Sequence, residues 1–161
     1  MIDELKNIEY VLFDLDGTVS DSSEGITKSA DKALKSEGIN VPFETLTSFI
    51  GPALRVSFGR YTDDVEKRDR MLDVYRERYS EKGWCENKIY PGMAELLRDL
   101  QKSGKHVVLA SAKPEFFCRK IIKYFGVEQY FDFIGGSDME GKRDDKTVLL
   151  TYVLDNIGNP R

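Results

Sequence analysis

Soft metal ligands and cross-links are what this sequence most plainly lacks. Its two cysteines, Cys85 and Cys118, lie 33 positions apart, with His106 the single histidine. That set is too small for a structural zinc site and offers no disulfide framework. Two buried or half-buried thiols in a reducing cytoplasm are therefore expected. Long apolar runs are missing too: none approaches the ~20 residues that span a bilayer, so no membrane partner is expected. The opening MIDELKNIEY carries three acids and no basic, apolar, small-residue progression, so it does not read as a signal peptide. A cytoplasmic location is the expectation. Nor is there an excess of positive charge. Twenty-four basic against 28 acidic residues leave −4 at pH 7, which disfavours nucleic acid as a partner. The basic run Lys67-Arg68-Asp69-Arg70 is interleaved with acids and reads as a solvated helix face.

What is present suffices for a core. With 40% hydrophobic and 11% aromatic residues, 161 positions can build one domain, or one domain with a smaller insertion. Residues 8–13 read as a strand apolar on both faces, as in the centre of a parallel sheet. SSEGITKSADKALKSEG then places Ile26, Ala30, Ala33 and Leu34 at helical spacing, with Ser22 or Ser23 at the start and Gly38 at the stop. Gly51-Pro52 separates two short apolar helical pieces. A charged helix follows with Val65, Leu72, Tyr75 and Tyr79 near one stripe and Gly83 beyond its end. Its tyrosines could mediate a dimer or cover their own domain, so monomer and homodimer both stay open.

From NKIYPG onward the rhythm changes. MAELLRDLQKSG reads as a helix, KHVVLAS as a strand, PEFFCRKIIKYFG as a helix between Pro114 and Gly126, YFDFIGGS as a strand and DDKTVLLTYVLDNIG as a helix. Strands and helices alternate at the lengths of right-handed βαβ units. The expectation is an α/β fold: a parallel Rossmann-like sheet with helices on both faces, formed by residues 1–19 and 87–161, interrupted by a helical domain over 20–86.

Chemistry concentrates where the first strand stops. In YVLFDLDGTVSDS a hydrophobic run ends on Asp14, with Asp16 two positions on and Gly17 turning the chain. Adjacent carboxylates repel unless a cation or a shared proton intervenes. A hard divalent ion, magnesium above all, suits oxygen ligands of this kind. A carboxylate so placed can attack a phosphoryl group, and a second acid can protonate the leaving oxygen. A calcium loop of the EF-hand type fails on spacing, since glycine comes fourth from Asp14 and the twelfth place is Gly25. An Asx-turn explains Asp16-Gly17 but not Asp14 at the end of an apolar strand. The segment Gly136 to Lys142 fits a phosphate-loop spacing, but Arg143 stands in the Ser/Thr place and Asp138 and Glu140 would repel phosphate, so a plain loop is expected.

FDLDGTVSDS resembles the first motif of the haloacid dehalogenase superfamily, in its phosphoglycolate phosphatase-like branch. FIGPALRVSF is similar to a segment of that branch's cap domain, VVLASAKP to the second motif, and GSDMEGKRDDK to the run leading into the third. The resemblance implies Asp14 as nucleophile and magnesium ligand, and Asp16 as general acid/base that also binds magnesium through its backbone carbonyl. It implies Gly17, Thr18, Ser111, Ala112 and Lys146 around the phosphate, and Gly51, Pro52, Leu54 and Arg55 as substrate-facing cap residues; Lys113 either approaches the substrate or faces solvent, while Phe58 packs. The implied activity is magnesium-dependent hydrolysis of a small soluble phosphomonoester. Alternatives are a 5′-nucleotidase or pyrophosphatase, a β-phosphoglucomutase-like mutase, and a non-catalytic phosphate-binding relic. The family's fourth motif, a strand ending in Gly-Asp, is not found, since Asp155 is the one acid after Lys146. The expectation is a fragment, weak in magnesium binding and poor in turnover by itself; robust turnover would instead point to Asp138 as a substitute ligand.

Overall fold

The computed structural model describes residues 6–160; Arg161 and half of the N-terminal decapeptide read above lie outside the described residues. The chain divides into two compact units. One takes the chain up to Val19 and from Ile89 onward, and the other is Ser20–Lys88.

The first unit holds a parallel sheet of three strands in the order β1 (Tyr10–Phe13), β4 (His106–Pro114), β5 (Phe133–Ser137). Tyr10 pairs with His106 and Phe13 with Leu109, while Leu109 pairs with Ile134 and Ser111 with Gly136. Parallel pairing needs a crossover between strands: α4 (Met93–Lys102) leads into β4 and α5 (Glu115–Tyr124) joins β4 to β5, while α6 (Lys146–Asn156) follows β5. Val107, Val108, Leu109 and Ala110 form the buried run of the middle strand. Val108 and Ala110 join Leu149 and Val153 of α6 in a core cluster, with Tyr10, Phe133 and Tyr152 packed against it. β1 was expected in the centre of the sheet; among the described residues it pairs only with β4, and Leu12 stays 37% exposed.

Two features of this unit escape a periodicity reading. β4 runs on past Ser111 to Pro114 through an irregularity in its pairing with β5. Gly136 makes that close approach possible, since a Cβ there would stand 2.6 Å from the backbone of Lys113 and Glu115.

The inserted unit is helical apart from its ends, where the two-residue strands β2 (Ser20–Asp21) and β3 (Lys88–Ile89) pair. It contains α1 (Ser23–Ser36), a 3₁₀ helix (Phe43–Phe49), α2 (Leu54–Gly59), α3 (Val65–Arg78) and a π-turn (Tyr79–Gly83). Ser22 holds the N-cap position of α1 without a side-chain bond; Asp21 accepts from the Ser23 N–H instead, at 3.0 Å. Ile26, Ala30, Ala33 and Leu34 are buried, and Gly25 lies against Gly83 so closely that a Cβ would come within 1.9 Å of its carbonyl oxygen. In α3 the stripe is Met71, Leu72 and Tyr75, continued by Tyr79. Val65 departs from expectation at 54% exposed, because Asp64 caps the helix and Val65 opens it ahead of the buried stripe. The two tyrosines stack at 5.5 Å inside this unit, so they cover their own fold. Arg78 grips Glu86 with two bonds, at 2.8 and 3.1 Å, and donates a third to Ser29 Oγ.

Candidate active site

β1 delivers Asp14 at its carboxyl end, and the chain then turns. Thr18 and Val19 donate their N–H groups to the Leu15 carbonyl at 3.2 and 3.0 Å. Gly17 sits at φ 77°, a backbone conformation that costs glycine little and other residues more. The turn explains why both acids belong to one small segment.

Each acid has its own lysine. Asp14 Oδ1 accepts from the Leu15 N–H at 2.7 Å, and Asp14 Oδ2 lies 3.2 Å from Lys146 Nζ. Lys146 opens α6, where the helix dipole is unfavourable to a cation. Asp145 relieves this by accepting from the Thr147 and Val148 N–H groups as the N-cap. The Lys146 side chain remains 64% exposed. Asp16 is held differently. Its Oδ2 lies 3.2 Å from Lys113 Nζ, and the two side chains are only 7% and 6% exposed. Asp16 Oδ1 is buried and finds no hydrogen-bond partner among the described residues.

Lys113 therefore does not face solvent, one of the two places expected of it. Strand-end spacing alone could not show this, because the turn of its side chain depends on the irregularity after Ser111. Ser111 is buried, and its Oγ accepts from the Lys113 N–H at 3.3 Å. Ala112, between them, is half-buried. Cys118 donates its S–H to the Lys113 carbonyl, and burial pushes that thiol's pKa far up, so it stays protonated.

The remaining candidates are placed as follows. Gly17 and Thr18 are exposed. Gly51, at φ 101°, and Pro52 form the turn before α2, whose first residues are Leu54 and Arg55, both half-buried. Phe58 is fully buried against Phe49 and Tyr75. The segment after β5 is a loop knotted around Asp138, whose Oδ1 accepts from the N–H groups of Glu140 and Lys142. Burial raises the Asp138 pKa, but these bonds and those from Gly141 and Arg143 outweigh it and hold the carboxyl below its ordinary value. Asp138 spends that oxygen on its own loop, while its Oδ2 is buried without a hydrogen-bond partner among the described residues, 4.0 Å from Arg143 Nε.

A magnesium ion suits the donors present. They are hard oxygens, the Asp14 carboxylate at the end of β1 and the Asp16 backbone carbonyl in the turn after it. Among the described residues no group of three or more His, Cys, Asp or Glu is gathered for a metal. Magnesium commonly needs only one or two carboxylates, with water and substrate phosphate completing its shell. No helix among the described residues is long and apolar enough to cross a membrane.

A family profile of haloacid dehalogenase-like hydrolases matches residues 11–158. The chain is 39% identical over 150 residues to a 5′-nucleotidase of Pseudomonas aeruginosa, covering 92% of this chain and 68% of that protein. It is 36% identical over 147 residues to the tyrosine-protein kinase PtkA of Mycobacterium tuberculosis, covering 91% of this chain but 50% of the kinase. A phosphoglycolate phosphatase of Aquifex aeolicus is 30% identical over 152 residues, with 94% and 71% covered. Among solved structures, a predicted phosphatase from Clostridium acetobutylicum superposes with a TM-score of 0.90 at 40% identity, covering 94% of this chain and 71% of that one.

Proposed function

The chain belongs to the haloacid dehalogenase-like hydrolases, and from that premise we propose that it hydrolyses a small phosphomonoester by way of a phosphorylated Asp14. The observation that carries the reading is the pairing of two acids, two residues apart at a strand end, each with its own lysine. Asp14 Oδ attacks phosphorus and the bond from phosphorus to the ester oxygen breaks. Asp16 gives that oxygen its proton, and the alcohol leaves. Water then attacks the acyl phosphate while Asp16 takes back a proton, and inorganic phosphate departs from Asp14. Lys146, 3.2 Å from Asp14 Oδ2, neutralises charge on Asp14 and on the transferring group. Ser111 and the Ala112 N–H support the phosphate, with Gly17 and Thr18 lining its approach. Magnesium, when bound through Asp14 and the Asp16 backbone carbonyl, offsets the repulsion between carboxylate and phosphate dianion. Residues 20–88 act as the cap, with Gly51, Pro52, Leu54 and Arg55 selecting the substrate.

Phosphoglycolate is one candidate substrate. A nucleoside 5′-monophosphate is the second, favoured by the 39% identity to the Pseudomonas 5′-nucleotidase. The test is phosphate release from both esters and from p-nitrophenyl phosphate with magnesium present. Asp14→Asn is expected to lower every rate by about a thousandfold or more. Undiminished turnover in that variant would refute the covalent route.

A further inference from the structure

Lys113 and Lys146 are not equivalent. Lys146 reaches Asp14 from an exposed helix start, with a side chain 64% open to solvent. Lys113 meets Asp16 with both side chains at least nine-tenths buried. A lysine that deep carries a large desolvation cost and is retained only with a close anionic partner. Its backbone is tied down as well. The Lys113 N–H donates to Ser111 Oγ, its carbonyl accepts from Cys118, and Gly136 stands against it across the irregular end of β4. The ammonium therefore has little freedom, and neither does the carboxylate it holds. Only one oxygen of Asp16 is spent on this contact. The other, Oδ1, is equally buried and without a partner among the described residues, a condition that native proteins rarely leave unexplained.

We propose that Lys113 is a positioning residue: it anchors Asp16 by Oδ2 so that Oδ1 is the oxygen presented to the leaving group and, later, to water. This rests on reading Asp16 as the acid/base. A carboxylate free to rotate would offer either oxygen in several orientations, and proton transfer demands one. The loss on removing Lys113 should therefore appear where protonation limits the rate and nowhere else.

The experiment compares an alkyl phosphate, whose leaving oxygen requires a proton, with 2,4-dinitrophenyl phosphate, whose leaving group does not. Asp16→Asn is expected to slow the alkyl ester by about 10²- to 10⁴-fold and to spare most of the dinitrophenyl rate. Lys113→Met, in the full chain, is expected to show the same selectivity. Its kcat on the alkyl ester should fall at least about tenfold more than on the aryl ester, with KM moved by less than about threefold. Lys113→Arg should recover part of the alkyl rate. Combining Lys113→Met with Asp16→Asn, which removes both buried charges, should be no slower than Asp16→Asn alone. Should Lys113→Met fail to fold, Lys113→Arg is read in its place, with a smaller alkyl-selective loss expected. Equal losses on both esters, or additive losses in the double variant, overturn the proposal while leaving Asp16 its role. An Asp16→Asn enzyme without leaving-group selectivity overturns the reading of Asp16 and the proposal with it.

Discussion

A lysine at the first position of a helix is electrostatically misplaced unless something nearby is negative, and Lys146 has Asp14 at 3.2 Å. Its side chain is mostly solvated, so the pair contributes little to folding. Lys146→Met should leave the unfolding free energy within about 0.5 kcal/mol of the parent, while kcat/KM for any phosphate ester falls by about 10²- to 10³-fold. Urea denaturation and initial rates check the two halves separately. A large stability loss with rates preserved would make Lys146 structural. At this scale Asp14, Asp16 and Ser111 stood out because they close apolar strands with polar groups, while Lys146 was named from the resemblance to the family's third motif. Lys113 could not be placed. Nothing in a strand-then-proline pattern shows that a lysine turns inward, because burial there depends on an irregularity in strand pairing.

Helix ends carry more of the fold than propensity does. Asp145 accepts from two N–H groups of α6, and Asp145→Ala should cost about 1 kcal/mol, read as a lower Tm. Glycines separate two kinds of constraint. Gly104 needs its φ of 77° but has open space around it, so Gly104→Ala should cost about 1 kcal/mol. At Gly136 a Cβ would meet backbone at 2.6 Å on three atoms that cannot swing aside. Gly136→Ala should therefore cost about 2 kcal/mol or more, and the same displacement should slow catalysis by moving Lys113. If Gly136→Ala proves milder than Gly104→Ala, the close contact between β5 and the end of β4 is wrong. The helices were legible because start and stop residues punctuate them, Gly38, Gly104 and Gly126 all lying at positive φ. β2 and β3 were not, since two residues cannot establish a period. Val65 was misplaced because an apolar residue at a helix start matches the stripe in spacing without reaching the core.

Across the whole molecule, alternation of strand and helix made the parallel α/β class readable, and the strand apolar on both faces was found as β1, which among the described residues pairs with β4. Stability against acid is a property at this scale, and one ion pair gives it a defined sign. The two bonds from Arg78 hold the Glu86 carboxyl below its ordinary value of 4.5, against the opposing effect of burial, with Lys28 and Lys82 adding to the attraction. The folded state thus releases this proton more readily than the unfolded chain. The resulting stabilisation is fully present above about pH 4.5 and is lost as pH falls through the lower, folded value. Glu86→Gln keeps an acceptor oxygen but not the charge, and near neutral pH it should cost about 1–2 kcal/mol, since both side chains are at most 20% exposed. Measured by denaturant unfolding at a series of pH values, the gap between parent and variant should be widest near neutrality and close toward about pH 3. A gap that stays constant across that range would assign the loss to hydrogen-bond geometry instead of charge, and Ser29, which accepts the third bond from Arg78, would be the place to look for it.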